Sequence, residues 1–351
     1  MDVLDNKCPA CGAKITFNPK NQMWDCKYCG SKFSLEEMKK HNNASSEKAN
    51  SKENKKKAIK KLDGVDVYRC KNCGAEIMAD ETTTATFCVY CGSTAILKDK
   101  IDEGLSPNLI IPFKNVKEDA IEAFKKVTKH KPLMPKAFKE ERNIQKITGV
   151  YIPFWAYDIS ADGQMEFSAT DIRTWSDYNY HYTETSRYLV TQSGHFDYEK
   201  VLADASSRFP DDLMDSLEPF HYKDLTDYNH AYLSGFLAEK YDVSEEDGFE
   251  RAKNRSINTC VDMMSSNVRH QTKIVKTNNM EVKKEKTNYI MLPVWMVNIH
   301  YNGKMYTFAM NGQTGKIVGN IPVSVGKTIA WSVSLFIGIF SLLFLFVWFI
   351  R

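Results

Sequence analysis

The chain has 351 residues, of which 43% are hydrophobic and 26% charged, so it is neither disordered nor fibrous and is long enough for two or three compact units. Its 47 basic and 44 acidic residues give a net charge of +3, which excludes a strong overall field for nucleic acid. Two features depart from this ordinary composition. They are nine cysteines and an uncharged run of 23 residues at 328–350.

The first five residues are acidic and contain no apolar run, so no signal peptide is predicted. A chain that stays in the cytosol keeps its thiols reduced, and paired cysteines there are metal ligands more often than disulfides.

Eight of the nine cysteines form two quartets with the same spacing. Each quartet reads Cys-x2-Cys-x14-Cys-x2-Cys, and the second repeats the first after 62 residues. A Cys-x-x-Cys turn brings two thiolates to one side of a tight loop, and a second such turn completes a tetrahedral metal site. The spacing therefore predicts two closed sites, with the ligands Cys8, Cys11, Cys26 and Cys29 in the first and Cys70, Cys73, Cys88 and Cys91 in the second.

Zinc is the metal predicted for both sites, which gives two zinc ions per chain. Iron takes the same four thiolates, so the spacing does not separate the two metals, and two disulfides per module are the other alternative. A glycine follows each Cys-x-x-Cys pair, where a positive φ lets backbone amides turn toward the sulfurs. A module of about 30 residues is too small to bury a core, so we expect the metal to supply its folding energy.

The predicted zinc ribbons lie at 1–33 and 67–98 and are joined by residues 34–66. This joining segment has a Lys-rich run at 48–61 and no apolar face, so it is predicted to be a flexible, solvated linker. Contact of its lysines with anionic lipid or nucleic acid is the alternative.

An α+β body is predicted for 105–325. It begins with a short buried strand at 109–113, and Asn115 with Glu118 forms a capping box that opens a helix reaching residue 130. A second helix is predicted over 244–267, with Ser244 as its N-cap. Cys260 lies on the apolar stripe of that helix, so it is predicted to be a core residue and not a nucleophile.

Two predicted β-hairpins in the body repeat one another after 140 residues. The first contains Pro153-x-Trp155-x7-Gly163-x-Met165, and the second contains Pro293-x-Trp295-x7-Gly303-x-Met305. Asp162-Gly163 and Asn302-Gly303 are turn signals between the paired strands. The repeat predicts a body with two related halves and a duplicated β-hairpin unit.

An aromatic stretch follows the first hairpin and contains Trp175, Tyr178, Tyr180, Tyr182 and Tyr188. Such residues cover a sheet face or form the centre of a protein-binding surface, and the sequence favours the sheet face. No catalytic motif for a metalloprotease, serine hydrolase or dinucleotide enzyme occurs in the chain. We therefore expect a protein that is not an enzyme.

The uncharged run at 328–350 predicts a transmembrane helix. As a helix it would extend about 34 Å, enough for a hydrocarbon core of about 30 Å. Trp331 and Trp348 stand near its two ends, where indole rings favour the membrane interface. The sequence predicts a single-pass, tail-anchored protein of the cell membrane, with most of the chain in the cytoplasm.

The Cys-Pro-Ala-Cys-Gly and Cys-Lys-Asn-Cys-Gly motifs at 8–12 and 70–74 resemble zinc ribbons of the transcription factor IIB type. With Ile111-Pro112-Phe113 and the segment Gly149-Val150-Tyr151-Ile152-Pro153-Phe154-Trp155, the layout resembles a bacterial family of membrane-anchored proteins with two such ribbons. Members of that family are encoded near phage shock protein A and SPFH-domain (flotillin-like) proteins. The resemblance implies a platform at the membrane in envelope-stress responses.

We therefore expect a membrane-tethered zinc-ribbon adaptor or scaffold that recruits partner proteins, with phage shock protein A-like or SPFH-domain proteins as the candidate partners. The alternative is a membrane-associated nucleic-acid-binding protein that uses the ribbons and the Lys-rich linker. The two hypotheses differ in salt dependence, because phosphate contacts weaken steeply as salt rises.

Overall fold

A computed structural model describes residues 3–4, 6–41, 65–69, 76–80, 83–87, 94–97, 105–129 and 131–350. The strands in these residues are β1 (Val3–Leu4), β2 (Thr16–Asn18), β3 (Met23–Asp25), β4 (Lys32–Phe33), β5 (Val65–Arg69), β6 (Glu76–Asp80), β7 (Thr83–Phe87), β8 (Thr94–Leu97), β9 (Leu109–Ile110), β10 (Thr148–Ser176), β11 (His181–Asp204), β12 (Thr226–Asp227), β13 (Leu237–Glu239), β14 (Thr272–Tyr301), β15 (Lys304–Asn311) and β16 (Ile317–Gly319).

The α-helices in the same residues are α1 (35–41), α2 (Lys117–Lys129), α3 (Glu141–Ile144), α4 (Asp211–Asp215), α5 (Glu245–Asn267) and α6 (Val325–Ile350). Short 3-10 turns are formed by Lys136–Lys139, Tyr222–Asp224 and His230–Leu233.

The fold is a mixed α/β body built on a large sheet, with a small antiparallel sheet at the N-terminus and an apolar helix at the C-terminus. The long strand β10 lies at the centre and pairs antiparallel with β14 on one side and with β11 on the other. β7 and β8 join the same sheet through β13, and the small sheet consists of β2, β3 and β4. An α+β body was predicted from the sequence, and the structure shows a mixed α/β body whose single large sheet the sequence did not reveal.

The three long strands pass through two environments. In β10, residues 150–157 are buried without interruption, because one face packs against α2, the 230–236 segment and the N-terminal sheet, and the other packs against the 209–225 segment. We call this part of the sheet the body end. Beyond it, residues 160–176, 181–198 and 272–286 form a three-stranded extension, which we call the arm.

Helix α5 covers one face of the arm. Ser244 caps it, as predicted, by accepting a hydrogen bond from the Asp247 N–H at 3.1 Å. Cys260 and Met264 on this helix are buried against Met165 and Phe167 of β10, so the prediction that Cys260 is a core residue is confirmed. Along each strand of the arm, successive side chains point alternately to this covered face and to the opposite face, which is open to solvent.

The two halves of the body are related by an internal two-fold relationship. The repeat offset of 140 maps Ile152 onto Leu292, and these two residues are paired with each other in the body-end part of the β10–β14 ladder. The Trp155 indole N–H donates to the Val243 carbonyl at 3.0 Å, and the Trp295 indole N–H donates to the Asn115 carbonyl at 3.2 Å. Each of these carbonyls lies two residues before the first residue of a helix, α5 or α2.

The backbone repeats the same relationship. The Pro153 carbonyl accepts from the Ala205 N–H at 3.0 Å, and the Pro293 carbonyl accepts from the Gly312 N–H at 2.8 Å. The predicted pair of related halves is therefore present, and each tryptophan joins its own strand to the start of a helix.

Of the two predicted hairpins, the second is present and the first is wrong, because both of its predicted strands lie in β10. β14 and β15 turn at Asn302-Gly303, whose φ angles of 50° and 73° suit a type I′ turn, as predicted. Asp162-Gly163 is not a turn, because β10 continues through it to Ser176 and the hairpin closes at 177–180. Gly163 instead allows a close approach of β14, since a Cβ there would lie 2.3 Å from the Asn279 carbonyl oxygen.

The first predicted helix begins slightly later than expected. α2 starts at Lys117, and the Val116 N–H donates to the Asp119 carboxylate at 3.0 Å. The capping contact therefore joins residues 116 and 119, one residue later than the predicted pair Asn115 and Glu118. Asn115 donates its side-chain N–H to the Gln313 carbonyl instead. Tertiary contacts of Asn115 thus decide the register of the cap.

The first cysteine module is not a free domain on a tether. Residues 35–41, assigned above to a flexible linker, form helix α1, and Met38 on this helix is buried in the main core. Ile15, Phe17 and Trp24 of the module are buried in the same core. The prediction of an independent module is wrong because its apolar face packs on the body; the rest of the predicted linker, 42–64, lies outside the described residues.

Helix α6 is long and apolar enough to cross a membrane, and none of its 26 residues is buried. It begins at the body end, where the Ser324 N–H donates to the Leu133 carbonyl at 2.9 Å and Lys327 Nζ donates to the Met134 carbonyl at 2.6 Å. The tip of the arm lies at the opposite end of the sheet. The two are separated by the length of β10, about 95 Å for 29 residues at 3.3 Å each.

Candidate functional site

Four cysteines of the first quartet converge on one point. The Sγ atoms of Cys8 and Cys29 are 3.6 Å apart, as are those of Cys11 and Cys26, and all four sulfurs lie within 4.8 Å of one another. Cys8 and Cys26 are buried, and Cys11 and Cys29 are exposed. All four are free thiols, which excludes the disulfide alternative for this module.

The spacing of these sulfurs fits a tetrahedral metal ion. Zinc–sulfur bonds of about 2.3 Å require sulfur–sulfur edges of about 3.8 Å in a regular tetrahedron. Four thiolates without a cation repel one another, so a cluster this compact fits a metal better than it fits free thiols. If a metal is bound, the four sulfurs fill its coordination and leave no position for a substrate.

Two equivalent loops shape the cluster. The Gly12 N–H donates to the Cys8 carbonyl at 2.8 Å, and the Gly30 N–H donates to the Cys26 carbonyl at 2.9 Å. Both glycines have positive φ, 71° and 76°, as the sequence predicted. The hydrogen bonds from Cys8 N–H to the Ala13 carbonyl and from Cys26 N–H to the Ser31 carbonyl complete each loop. Local sequence therefore determines both halves of the cluster.

The thiols differ in acidity. The Ser31 hydroxyl lies 3.3 Å from the Cys29 sulfur, and hydrogen bonds from the Ser31 side chain and backbone lower the pKa of Cys29 to about 6. The Ala13 backbone hydrogen bond acts to lower the pKa of Cys11, but desolvation and the other three sulfurs raise it to about 12. One thiolate thus forms readily at neutral pH, and a bound cation would favour ionisation of the others.

The body orients the cluster through an aromatic contact. The Trp24 ring lies 5.0 Å from Phe17 and 5.2 Å from Tyr232, and its indole N–H donates to the Ala231 carbonyl at 2.9 Å. The Phe17 N–H donates to the Ser234 carbonyl at 2.9 Å. Sequence reasoning missed this interface, although Ile15, Phe17 and Trp24 form an apolar set that a small module cannot bury by itself.

The second quartet cannot be placed in the same way. Cys70, Cys73, Cys88 and Cys91 lie outside the described residues. The strands that precede its two pairs, β5 and β7, are described, and Ala85 of β7 is buried in the core of the body. The second metal site and the second ion stay predictions.

Comparison with known proteins gives one informative match. The chain is 36% identical over 330 residues to YdjG of Bacillus subtilis (strain 168), a protein described as uncharacterized, and the match covers 94% of this chain and 93% of YdjG. The chain belongs to the YdjG family. No family model matches the chain, and no solved structure matches it.

In this member of the YdjG family, the aromatic stretch lies at the tip of the arm. Trp175, Tyr182 and Tyr188 lie on strands of the sheet, in line with the sheet-face prediction. The stretch extends past the C-terminus of α5 at Asn267, however, so these rings contact solvent. Tyr178 is fully exposed, Tyr180 is 65% exposed and Trp175 is 46% exposed. An exposed aromatic cluster is a feature of interaction sites.

Local contacts hold this tip in one conformation. Asp177 accepts hydrogen bonds from the Asn179 and Tyr180 N–H groups at 2.9 and 2.8 Å and from the Tyr182 hydroxyl at 2.9 Å. These hydrogen bonds lower the pKa of Asp177, and the bond from the Asn179 N–H has the largest effect. Asp177 is therefore ionised at neutral pH. Trp175 stacks on Tyr182 with ring centres 5.5 Å apart and the Arg173 guanidinium 5.7 Å from the Trp175 ring.

A second stack supports the base of the tip. The Tyr188 ring lies 4.5 Å from the His270 ring, and His270 Nδ1 lies 2.9 Å from the Asp171 carboxylate. The Gln271 N–H and the His270 ring lower the pKa of Asp171. The tip is therefore a preorganised aromatic surface, at the opposite end of the sheet from α6.

Proposed function

We propose that this protein is a membrane-anchored adaptor that recruits partner proteins with the aromatic tip of its arm. The observation that carries the proposal is the separation of two interaction features at opposite ends of one sheet. An apolar helix with no buried residue stands at one end, and a cluster of exposed, ordered aromatic rings stands at the other.

The membrane part of the proposal rests on helix α6. Its 26 residues would extend about 39 Å, more than the hydrocarbon thickness of about 30 Å, and it packs no part of the core. The reduced cysteines of the first module favour a cytoplasmic location for the body. Deletion of residues 327–351 should move the chain to the soluble fraction with its fold intact, because α6 buries nothing.

The partner-binding part rests on the chemistry of the tip. Tyrosine and tryptophan dominate the few residues that carry most of the energy of protein interfaces. Here Tyr178 and Tyr180 present such rings, and Asp177 holds their backbone so that little conformational entropy is lost on binding. The family resemblance favours phage shock protein A-like or SPFH-domain proteins as partners in an envelope-stress response.

We further propose that the first cysteine module is a structural zinc ribbon of the transcription factor IIB type and that the second quartet binds a second zinc ion. The closed cluster of the first module has no open ligand position, and its Trp24 contact joins it to the body. The zinc thus serves to orient a fixed module. We propose no enzymatic activity for the chain.

The test is recruitment from detergent-solubilised membranes by the full chain. The double variant Tyr178→Ser/Tyr180→Ser should reduce recovery of the partner by at least tenfold, because two hot-spot rings are removed. The matched control is Tyr28→Ser, which removes a tyrosine that is 85% exposed but lies on the metal module. Partner proteins are identified and quantified by mass spectrometry.

Recovery of the same partners by the tip variant would contradict the proposal. Binding of DNA by the intact chain that weakens steeply between 50 and about 200 mM salt would instead support the nucleic-acid alternative. Point variants are used because the first module is part of the core, so its deletion would expose Phe17 and Trp24 contacts of the body.

A further inference from the structure

The outer edge of β11 is a long strand edge on one side of the arm. Within the described residues, β11 pairs with β10 on one side, and no strand pairs with its other side. The regular part of this edge, residues 181–198, spans about 60 Å at 3.3 Å per residue. An unpaired edge of this length offers a row of backbone donors and acceptors to another strand.

Proteins protect such edges with charge, and the two edges of the arm differ in this respect. The arm part of β14 carries five lysines and two glutamates in residues 272–286. In β11, residues 188–194 read Tyr-Leu-Val-Thr-Gln-Ser-Gly and contain no charge, and Leu189 among them is 59% exposed. The β14 edge is protected against strand addition and the β11 edge is not.

We propose that β11 pairs with β11 of a second copy of this chain, antiparallel and centred on Gln192. In this register residue i faces residue 384 − i of the other copy. Arg187 then lies opposite Asp197, so one pair of opposite charges forms on each side of the two-fold axis. Moving the centre by one residue in either direction leaves no such pair within residues 181–198.

The faces of the arm support the same register. Arg187 and Asp197 are opposite Thr170 and Ser160 of β10, and so both lie on the open face of the arm. Arg187 has no ion-pair partner in the part of the chain that the structure describes. Tyr188 lies opposite Phe196 on the other face, giving an aromatic cross-strand pair. The exposed side chain of Leu189 is covered by His195 of the second copy.

The two-fold axis of such a pair is perpendicular to the sheet. Each copy therefore extends in the opposite direction, and the two body ends, taken at Thr148, lie about 110 Å apart along the strands, since Gln192 pairs with Met165 and Thr148 lies 17 residues further along β10. Both helices can enter one bilayer when the sheet lies along its surface. This dimer does not rest on the proposed function of the arm tip.

The test is site-specific cross-linking of the full chain in detergent and in membranes. Gln192→Cys should form a cross-linked dimer with a thiol reagent of about 8 Å span, because directly opposed residues have Cβ atoms about 5 Å apart. His195→Cys is the matched control on the same strand. Its two copies would be displaced by six residues, about 20 Å, and should not react. The unchanged chain gives the background from its own cysteines.

Charge reversal tests the register. In the Gln192→Cys background, Arg187→Asp should reduce the cross-linked fraction by at least fivefold, and Arg187→Asp/Asp197→Arg should restore it. A monomeric mass of the unchanged chain by light scattering, equal reaction at positions 192 and 195, or failure of the double exchange to restore cross-linking would overturn the proposal.

Discussion

The body end and the arm are two stretches of the same strands, and they differ in what covers them. Residues 150–157 of β10 are buried on both faces, whereas from residue 160 onward only the face beneath α5 is covered. The strands of the body end have an unbroken apolar sequence, as expected for burial on both faces. In the arm, apolar and polar residues alternate, as expected for burial on one face. The comparison shows that a long strand can carry a core at one end and an interaction surface at the other.

Helix α5 covers only part of the length of the arm. Helix α5 ends at Asn267, and the sheet continues past it to the turn at 177–180. Aromatic residues beyond that point pack on one another and on Arg173 and His270, and they stay exposed to solvent. Aromatic rings at the body end, such as Trp155 and Trp295, are instead buried and hydrogen-bonded to the starts of two helices.

Loss of the metal should have the largest effect, and it should be confined to the body end. Structural zinc contributes on the order of 10 kcal/mol to small modules. Cys26→Ser should remove one zinc ion per chain and accelerate amide exchange at 230–236, where Trp24 and Phe17 bind, while exchange in the arm stays unchanged.

Zinc content by atomic absorption and hydrogen exchange by mass spectrometry measure both outcomes. Ser31→Ala is a matched control, because it removes a hydrogen bond to Cys29 and keeps all four ligands. Retention of the full metal content by Cys26→Ser, or visible absorption typical of iron, would contradict the zinc assignment.

Truncating a tryptophan should have the second largest effect, and the loss in the free energy of unfolding should differ between the two regions. Trp155→Ala removes a buried ring and its hydrogen bond to Val243 and should lower the free energy of unfolding by about 3–5 kcal/mol. Trp175→Ala at the arm tip removes a half-exposed ring and its stack on Tyr182, and should change it by less than about 1.5 kcal/mol. Thermal unfolding in detergent, followed by circular dichroism, compares the two, and equal effects would refute the division into body and arm.

Glycine substitution tests how closely the arm strands pack. A Cβ at Gly163 would lie 2.3 Å from the Asn279 carbonyl oxygen, at a φ of 148°, so Gly163→Ala should destabilise the chain by about 1–3 kcal/mol. Gly303→Ala, at the second hairpin turn, meets no atom within 4 Å and should cost about 1 kcal/mol through its φ of 73° alone. Urea titration in detergent gives both values, and a larger loss at Gly303 would show that the strands separate readily at Gly163.

Two carboxyl groups should give the smallest effects, with opposite pH dependence. Burial raises the pKa of Asp204, beside Arg251 at 2.6 Å, so this group costs stability as pH rises from the ordinary carboxyl pKa through the raised one. Hydrogen bonds from Lys284 and Thr287 lower the pKa of Glu245, so this group stabilises the fold above the ordinary carboxyl pKa and loses that effect as pH falls through the lowered one.

The change in the free energy of unfolding caused by Asp204→Asn should therefore be more favourable at pH 7 than at acidic pH. The change caused by Glu245→Gln should be less favourable at pH 7 than at acidic pH, and each difference should be less than about 1 kcal/mol. The melting temperature of each variant, measured across pH 4 to 8 and compared with the unchanged chain, gives the two slopes. Slopes of the same sign would contradict the assigned environments.

Features that depend on local spacing could be predicted from the sequence. Cys8, Cys11, Cys26 and Cys29 converge because two short loops with Gly12 and Gly30 suffice to build each half of the cluster. The Ser244 cap, the Asn302-Gly303 turn and the length of the C-terminal helix are local in the same sense. The 140-residue repeat also predicted the two related halves, because each half repeats the same buried contacts.

Which turn signals and apolar faces are used depends instead on long-range packing. Asp162-Gly163 stays extended because β11 and β14 pair with it on both sides, and the many hydrogen bonds of those ladders outweigh a two-residue turn preference. The module with Trp24 docks because the body supplies Tyr232 and the Ala231 carbonyl. The aromatic tip is exposed because α5 ends before it. Each of these outcomes depends on partners far away in the chain, which local spacing does not encode.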